Sequence, residues 1–237
     1  MEQKAATRGG SPIVVAIDGP AGVGKSTVAR RLAERLGFLY VDTGAMYRAV
    51  GLEALRRGIP LDDEQQLEEL ARNSRIELCY PPLRVYWNGE DITARIRTPE
   101  VSEAASRVSA LPGVRRALVE VQRAMARQQP VVMEGRDIGT VVFPEAAVKI
   151  YLDASPQVRA ERRRKELEGQ GRQVCPEQLV KEIEERDRRD TTRADSPLRR
   201  APDAVYLDTS GMSIEEVENT ILELVHSYIS NRSRKEN

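Results

Sequence analysis

Short apolar runs separated by longer amphipathic stretches are the most regular feature of this chain. Five runs are rich in β-branched residues and almost continuously apolar, at 13–18, 38–42, 130–135, 148–153 and 204–208. Strands that are apolar on both faces are typical of a parallel sheet covered by helices on both sides. Helical patterns lie between them, at 26–36, 46–57, 113–127, 156–167, 176–189 and 214–229. The alternation predicts a doubly wound α/β fold with a five-stranded parallel sheet flanked by helices.

Two segments interrupt this alternation. Residues 75–93 alternate on a short period and contain Asn88-Gly89, a dipeptide typical of tight hairpin turns, so we predict a small antiparallel insert. Residues 161–172 are dominated by charge and contain two glycines, which is typical of a mobile helical flap. The alternative interpretation is that both are surface segments without a functional role.

The ends of the chain are polar. We predict a disordered lead over 1–11, one domain over 12–230, and a polar tail over 231–237. No apolar run approaches the roughly 20 residues that span a bilayer, so we expect no membrane partner. Cys79 and Cys175 form no CxxC pattern and no signal peptide is apparent, which favours a reduced, cytoplasmic protein.

The charge balance and the residue types behind it reduce the number of possible functions. Lys+Arg and Asp+Glu number 37 each, and this zero net charge argues against a nucleic-acid partner. Nearly all the basic residues are Arg, which suits bidentate phosphate contacts, although paired or solvated surface is the alternative. His226 is the single histidine, so a Ser-His-Asp triad and a multi-His metal site are excluded. We expect a monomer, because no exposed apolar heptad is apparent.

One motif predicts nucleotide binding. The stretch that follows the first predicted strand fits G-x-x-x-x-G-K-[ST], and a predicted helix follows it. Its residues are Gly19, Pro20, Ala21, Gly22, Val23, Gly24, Lys25, Ser26 and Thr27. In such a P-loop, backbone N–H groups at a helix N-terminus bind phosphate oxygens. Lys25 is expected to reach the β- and γ-phosphates of ATP, and Ser26 to offer its hydroxyl to Mg²⁺. Whether Glu134 or Asp153 assists Mg²⁺ stays open.

Several kinds of P-loop protein remain after this step. No Asn-Lys-x-Asp motif for guanine is present, and the chain is too short for a motor-type ATPase. The combination of a short chain, a P-loop, an insert and an Arg-rich flap favours a kinase of small phosphorylated acceptors. A kinase of another small acceptor is one alternative, either a different nucleoside monophosphate or a sugar-like alcohol with Asp42 as the base. A nucleotide-dependent binding module that transfers no phosphoryl group is another.

Charged residues follow the predicted strands at the edge where ligands bind in open α/β sheets. Thr43 comes directly after the second strand and is expected to cap the next helix, with Arg48 facing the cleft. Arg136 and Asp137 follow the third long strand, where an internal salt bridge between them is the alternative. Further on, Arg186, Asp190 and Arg193 lie about one helical turn apart. These patterns predict an anionic acceptor opposite the P-loop.

Five stretches in particular resemble the bacterial cytidylate kinase family, in the family's order, from about Ile13 to about Leu224. They are IDGPAGVGKST, DTGAMYR, IRTPEVSEAASRVSALPGVR, EGRDIGT and RDRRDTTR. The first is generic, whereas DTGAMYR together with EGRDIGTVVFP is far more specific. The resemblance implies a P-loop kinase that transfers the γ-phosphoryl group of ATP to CMP or dCMP. It also implies an acceptor-binding insert over about 75–106 and a helical lid over about 157–173.

The resemblance further implies a role for each matching residue. Thr43, Arg48, Arg136 and Arg193 would surround the phosphate of CMP, while Ser106, Arg115 and Asp137 would contact cytosine. Arg186 and Asp190 would hold the sugar and the closed state. The implied catalytic set is Lys25, Arg136, Arg162, Arg186 and Arg193, with Arg162 in the lid. A carboxylate accepts a hydrogen bond from the N4 amine of cytosine, whereas uracil presents a carbonyl there.

Overall fold

The computed structural model describes residues 12–169, 171 and 174–235. The predicted disordered lead at 1–11 lies outside the described residues. So do residues 170, 172 and 173 of the predicted lid and residues 236–237 of the predicted tail.

The elements are numbered in chain order. The strands are β1 (Val14–Asp18), β2 (Leu39–Asp42), β3 (Ile76–Cys79), β4 (Arg84–Trp87), β5 (Glu90–Asp91), β6 (Val131–Gly135), β7 (Val148–Asp153) and β8 (Val205–Asp208). The α-helices are α1 (Lys25–Leu36), α2 (Thr43–Arg57), α3 (Glu64–Arg72), α4 (Pro99–Val108), α5 (Pro112–Ala126), α6 (Pro156–Gly169), α7 (Pro176–Thr192) and α8 (Ile214–Lys235). Arg95–Arg97 form a 3₁₀ turn and Ile138–Val142 a π-helical turn.

The five predicted strands form one parallel sheet in the order β2-β6-β1-β7-β8, which confirms the prediction. The register sets their carboxyl ends level, because Asp18 pairs with Gly135, Asp42 with Glu134, and Asp153 with Asp208. Charged side chains that are far apart in the sequence therefore meet at one edge of the sheet.

Apolar side chains cover the two faces of the sheet, as the unbroken apolar strands require. Residues of β1 and β6 pack against α1 and α8 on one face, and their fully buried members include Val15, Ile17, Val132, Leu32 and Ile221. The other face packs against α5 and the π-helical turn. Burying each such side chain contributes about 1.5–3 kcal/mol, so these contacts hold the strand ends in place.

The insert is a small sheet in the order β3-β4-β5 with antiparallel pairing, as predicted. Asn88 and Gly89 have φ angles of 49° and 87°, which the tight turn between β4 and β5 requires. Trp87 and Ile96 join the insert and its following turn to a core shared with α2, α4 and α5. The helices α3 and α4 are absent from the sequence-based assignment.

One detail of the prediction is wrong. Asp42 caps α2, because its Oδ1 accepts the N–H of Ala45 at 2.8 Å, whereas Thr43 is the first helical residue. The helix begins directly at the end of β2, so the residue that ends the strand takes the cap position. At the other end of the chain, α8 continues to Lys235, so residues 231–235 of the predicted tail are helical.

The charged flap overlaps the second half of α6, and α6 packs against α7. Ala160, Leu167, Leu179 and Ile183 form a small apolar core of their own between these two helices. A separate small core of this kind allows the pair to move as one body.

None of the described helices combines the length and the apolar character that a membrane span requires.

Candidate active site

The P-loop joins β1 to α1 and approaches the backbone of β7 closely. Gly19 has a φ of 146°, and a Cβ there would lie 2.1 Å from the carbonyl oxygen of Leu152. Only glycine fits this position, which explains the first glycine of the motif. The loop ends at Gly24, which precedes the first turn of α1.

Lys25 lies buried inside the P-loop. Its Nζ donates to the carbonyl oxygens of Gly19 at 2.8 Å and Pro20 at 2.6 Å. Burial, followed by the nearby positive charge of Arg136, lowers the pKa of Lys25. A buried ammonium beside another cation favours an anionic ligand, because the anion offsets both charges. Ser26 is exposed and Thr27 half-buried at the start of α1.

Glu134, the carboxylate near the end of β6, contacts the P-loop directly. Its Oε2 accepts the hydroxyl of Ser26 at 3.0 Å, and its Oε1 accepts the hydroxyl of Tyr40 at 2.5 Å. Burial and the neighbouring Asp42 raise the pKa of Glu134. Asp153 lies elsewhere, since its carboxylate accepts the N–H of Ala154 and the hydroxyl of Tyr206.

Arginines converge opposite the P-loop, at the carboxyl edge of the sheet. Arg136 Nε donates to Asp190 Oδ2 at 2.8 Å, and Arg48 Nη2 donates to Asp42 Oδ2 at 2.9 Å. The pKa of Arg186 is lowered to about 10 by burial and by the charge of Arg136. The internal Arg136–Asp137 salt bridge, which was the alternative interpretation, is not the pair that the structure shows, because Arg136 binds Asp190 and Asp137 binds Arg115.

Several of these guanidinium groups keep buried N–H donors without a hydrogen-bond partner in the described part of the chain. The atoms are Arg48 Nε, Arg115 Nε, Arg186 Nε and Arg193 Nη2. A buried donor without a partner costs about 1–3 kcal/mol, so such groups are rare without a reason. Their convergence indicates an anion-binding site.

A second group of residues lies beside this cluster, between α5 and the loop after β6. Arg115 is buried, donates to Asp137 through Nη2, and donates to the carbonyl oxygen of Ser109 at 3.0 Å. Its guanidinium lies over the ring of Tyr47, 5.6 Å from the centroid. Ser106 is half-buried on α4, and in the described residues no hydrogen bond joins its side chain to this pair. The arrangement presents a carboxylate and a guanidinium side by side.

Thr43 and Gly135 bring the start of α2 close to the end of β6. The Thr43 hydroxyl donates to the carbonyl oxygen of Glu134 at 2.7 Å. A Cβ on Gly135 would lie 2.8 Å from that hydroxyl and 2.7 Å from Ile138 Cδ1. Glycine at 135 is thus what lets the start of α2 approach the end of β6.

Arg193 and Arg162 occupy different places. Arg193 Nε donates to the carbonyl oxygen of Ser196 at 2.5 Å, and its guanidinium lies near the charges of Arg115 and Asp137. Arg162 instead donates to the carbonyl oxygens of Thr209 at 2.6 Å and Val23 at 3.2 Å. It lies against the P-loop backbone and not among the arginines that bind Asp42 and Asp190.

Sequence reasoning missed Arg159 and Arg97. Arg159 is buried and donates to the P-loop carbonyl of Ala21 at 3.1 Å and to Asp187 at 3.0 Å, joining α6 to α7 and to the P-loop. Arg97 of the insert lies 3.5 Å from Asp42 Oδ2, which also binds Arg48. Both residues stand in Arg-rich stretches, where composition does not single out one arginine from its neighbours.

Comparison with known proteins identifies the family. The cytidylate kinase family model matches residues 15–227. The cytidylate kinase of Solibacter usitatus is 56% identical over 221 residues, covering 92% of this chain and 94% of that protein. The cytidylate kinase of Pelotomaculum thermopropionicum is 56% identical over 211 residues, covering 88% and 93%.

A solved structure supports the fold alone. An uncharacterized protein from Eubacterium ventriosum superposes with a TM-score of 0.51 at 13% identity, covering 91% of this chain and 98% of that one. With a family model that matches residues 15–227 and relatives of this identity along nearly its whole length, the chain belongs to the cytidylate kinase family.

Proposed function

We propose that this protein transfers the γ-phosphoryl group of ATP to CMP or dCMP, giving ADP and CDP or dCDP. The observation that carries the proposal is the set of buried arginine N–H groups without partners opposite the P-loop. These donors suit the phosphate of an acceptor, while the P-loop suits the triphosphate of the donor. Relatives of more than 50% identity that bear the name cytidylate kinase support CMP as the acceptor.

ATP would bind along Gly19–Thr27. The Lys25 ammonium, which now donates to two P-loop carbonyls, would turn to the β- and γ-phosphates. This exchange replaces contacts with neutral carbonyls by contacts with an anion, which are stronger. Arg162 and Arg159 both touch the P-loop backbone and would fix the lid against the bound nucleotide.

Mg²⁺ fits beside Ser26. Among the described residues no cluster of three or more His, Cys, Asp or Glu side chains could hold a metal, and Mg²⁺ does not need one. It is usually bound through one or two protein groups, waters and substrate phosphates. Ser26 and Glu134 supply a hydroxyl and a carboxylate that already touch each other. When bound, Mg²⁺ would neutralise charge on the phosphates of ATP.

The CMP phosphate would lie among Thr43, Arg48, Arg136, Arg186 and Arg193. An acceptor phosphate oxygen is already ionised near neutral pH and attacks without a general base. Positioning and charge stabilisation then supply most of the rate, and these guanidinium groups, with Lys25, supply the charge. Asp190 would keep Arg136 oriented through their 2.8 Å hydrogen bond and would approach the sugar.

Cytosine would face Asp137, Arg115 and Ser106. The Asp137 carboxylate would accept the N4 amine, and Arg115 would donate to the remaining polar edge of the base. Their buried ion pair fixes both groups before the ligand arrives. Pre-organised polar groups of this kind discriminate well, since a wrong base leaves them unpaired.

Kinases of alcohols use a carboxylate base, and Asp42 is poorly suited to that role. Burial raises its pKa, but the charges of Arg48 and Arg97 and the N–H of Ala45 lower it on balance. Its oxygens are engaged by the helix cap and by Arg48. We therefore place Asp42 as the group that orients Arg48.

We further propose that the protein acts as a monomer in the cytoplasm.

Water must be kept from the transferring group. The helix α6, which spans most of the lid at about 157–173, would close over the P-loop together with α7, against which it packs, when ATP binds. Arg159 and Asp187 would hold the two helices together during this movement.

A panel of acceptors tests the proposal. The protein is incubated with Mg-ATP and each of CMP, dCMP, UMP, AMP and GMP, and ADP release is followed. We expect CMP and dCMP to be turned over with kcat/KM at least about 100-fold above AMP and GMP. Equal turnover of all acceptors would exclude the assignment, and ADP release without any acceptor dependence would favour a nucleotide-gated binding module.

A further inference from the structure

Asp18, the last residue of β1, contacts the loop after β6 with both of its carboxylate oxygens. Its Oδ1 accepts the N–H of Ile138 at 2.8 Å, and its Oδ2 accepts the N–H of Gly139 at 2.7 Å. These two residues directly follow Arg136 and Asp137 in the chain. One side chain therefore fixes the orientation of two successive peptide groups in the loop that carries both acceptor-side residues.

The same residue is joined to the donor side by the backbone. Asp18 immediately precedes Gly19, the first residue of the P-loop, and it is 5% exposed. Lys25 from α1 and Asp137 from the loop are the charged groups that act on it, and Tyr151 of β7 lies near it. Its position makes Asp18 the direct side-chain link between the strand that leads into the P-loop and the Arg136–Asp137 loop.

A contribution to folding stability does not explain why a carboxylate is buried at position 18. Burial raises the pKa of Asp18 to about 6, although the N–H groups of Gly139 and Ile138 lower it. An ionised group with a raised pKa costs stability at neutral pH instead of adding to it. Groups of this kind cluster at functional sites, where geometry is favoured over stability.

We propose that Asp18 is a positioning residue for the acceptor site, holding Arg136 and Asp137 in a fixed place beside the P-loop. The inference rests on the proposed roles of Arg136 and Asp137 toward CMP. Asp18 touches neither substrate. It acts through the backbone of Ile138 and Gly139, so its loss changes the acceptor parameters of the reaction and leaves the ATP parameters nearly unchanged.

The test compares Asp18→Asn with wild type in the full-length protein. The amide keeps the shape of the side chain and one acceptor, but it places an N–H group against a backbone N–H. We expect the KM for CMP to rise about 10- to 100-fold while the KM for ATP stays within about threefold. The preference for CMP over UMP should fall, because Asp137 is no longer fixed.

A matched control is Asp208→Asn. Asp208 also ends a strand of the parallel sheet and accepts a backbone N–H, that of Ser210 at 2.8 Å, but it lies at β8 away from the loop. We expect its KM for CMP and its CMP-to-UMP preference to match wild type. Gly139→Ala perturbs the same loop while leaving Asp18 unchanged, because an added Cβ would crowd Lys149 Cδ at 3.2 Å, although its distance of 3.4 Å from Asp18 Oδ2 is an ordinary contact. This variant replaces Asp18→Asn if that protein fails to fold.

Two results would overturn the inference. One is a folded Asp18→Asn protein whose KM for CMP and CMP-to-UMP preference equal those of wild type. The other is an equal rise in the KM for ATP and for CMP, which would assign Asp18 to the P-loop instead. Failure of the proposed function shows separately, because wild type would then not prefer CMP at all.

Discussion

Replacing Asp137 by Asn should change which base the enzyme accepts. Asp137 is buried, 4% exposed, and its carboxylate accepts from the guanidinium of Arg115. Asparagine keeps this shape but replaces one acceptor oxygen with an N–H₂ donor. The donor opposes the N4 amine of cytosine and suits the O4 carbonyl of uracil.

The size of the effect follows from the contacts. A hydrogen bond to a charged group is worth about 1.5–3 kcal/mol, and 1.4 kcal/mol is tenfold in an equilibrium constant. The kcat/KM for CMP should therefore fall about 10- to 140-fold, with UMP gaining relative to CMP. Arg115 keeps one acceptor oxygen at position 137, so the free energy of unfolding should fall by about 1–3 kcal/mol and not by the larger cost of an unpaired buried charge.

The assay is ADP release with CMP and with UMP, and urea unfolding measures stability. Asp195→Asn is the control, because Asp195 lies 3.8 Å from Arg115 Nε but its side chain is 40% exposed. That variant should keep the CMP-to-UMP ratio of wild type. If a folded Asp137→Asn protein keeps the ratio as well, Asp137 does not contact the base.

Three further predictions concern the charges of the cleft. Lys25→Met removes the buried ammonium and should lower kcat about 10²- to 10³-fold, measured by ADP release. Arg186→Met removes a buried cation whose Nε has no partner, so the melting temperature should hold or rise while kcat/KM falls about 10²-fold or more. Asp18 has a pKa of about 6 in the folded chain against 3.8 for an unperturbed carboxyl. Its contribution to stability is therefore present below about pH 4 and lost by about pH 6, so urea unfolding should show wild type losing up to about 3 kcal/mol relative to Asp18→Asn over that range. A constant difference between the two proteins from pH 4 to pH 7 would contradict this sign.

The sequence predicts the sheet well because its signals are local. Strands such as Val14–Asp18 and Val131–Gly135 are apolar on both faces, and the turn at Asn88 and Gly89 needs only its own dipeptide. The helix α4 begins at Pro99, after a Thr98 cap, inside a stretch that resembled loop and insert, and its place depends on packing against α2. Its local signals are nevertheless present, because Thr98 caps it, Pro99 opens it, and its buried residues at 101, 104, 105 and 108 follow helical spacing, so the sequence-based assignment overlooked a readable pattern.

The residues of the site also fall into those that a local motif predicts and those that only tertiary contacts bring together. Lys25 and Ser26 follow from a motif whose spacing has a direct physical reason. The partners of Arg136 and Asp137 do not, because Asp190 lies 54 positions from the first and Arg115 lies 22 positions from the second. Only the register of the sheet and the packing of α5 and α7 bring these charges together.

A crystal structure of the protein with CMP tests the central claim most directly. The account predicts the cytosine N4 amine within about 3 Å of an Asp137 carboxylate oxygen, with the phosphate among Arg48, Arg136 and Arg193. It would be contradicted by a CMP molecule whose N4 amine faces another group, or whose phosphate lies away from these three arginines.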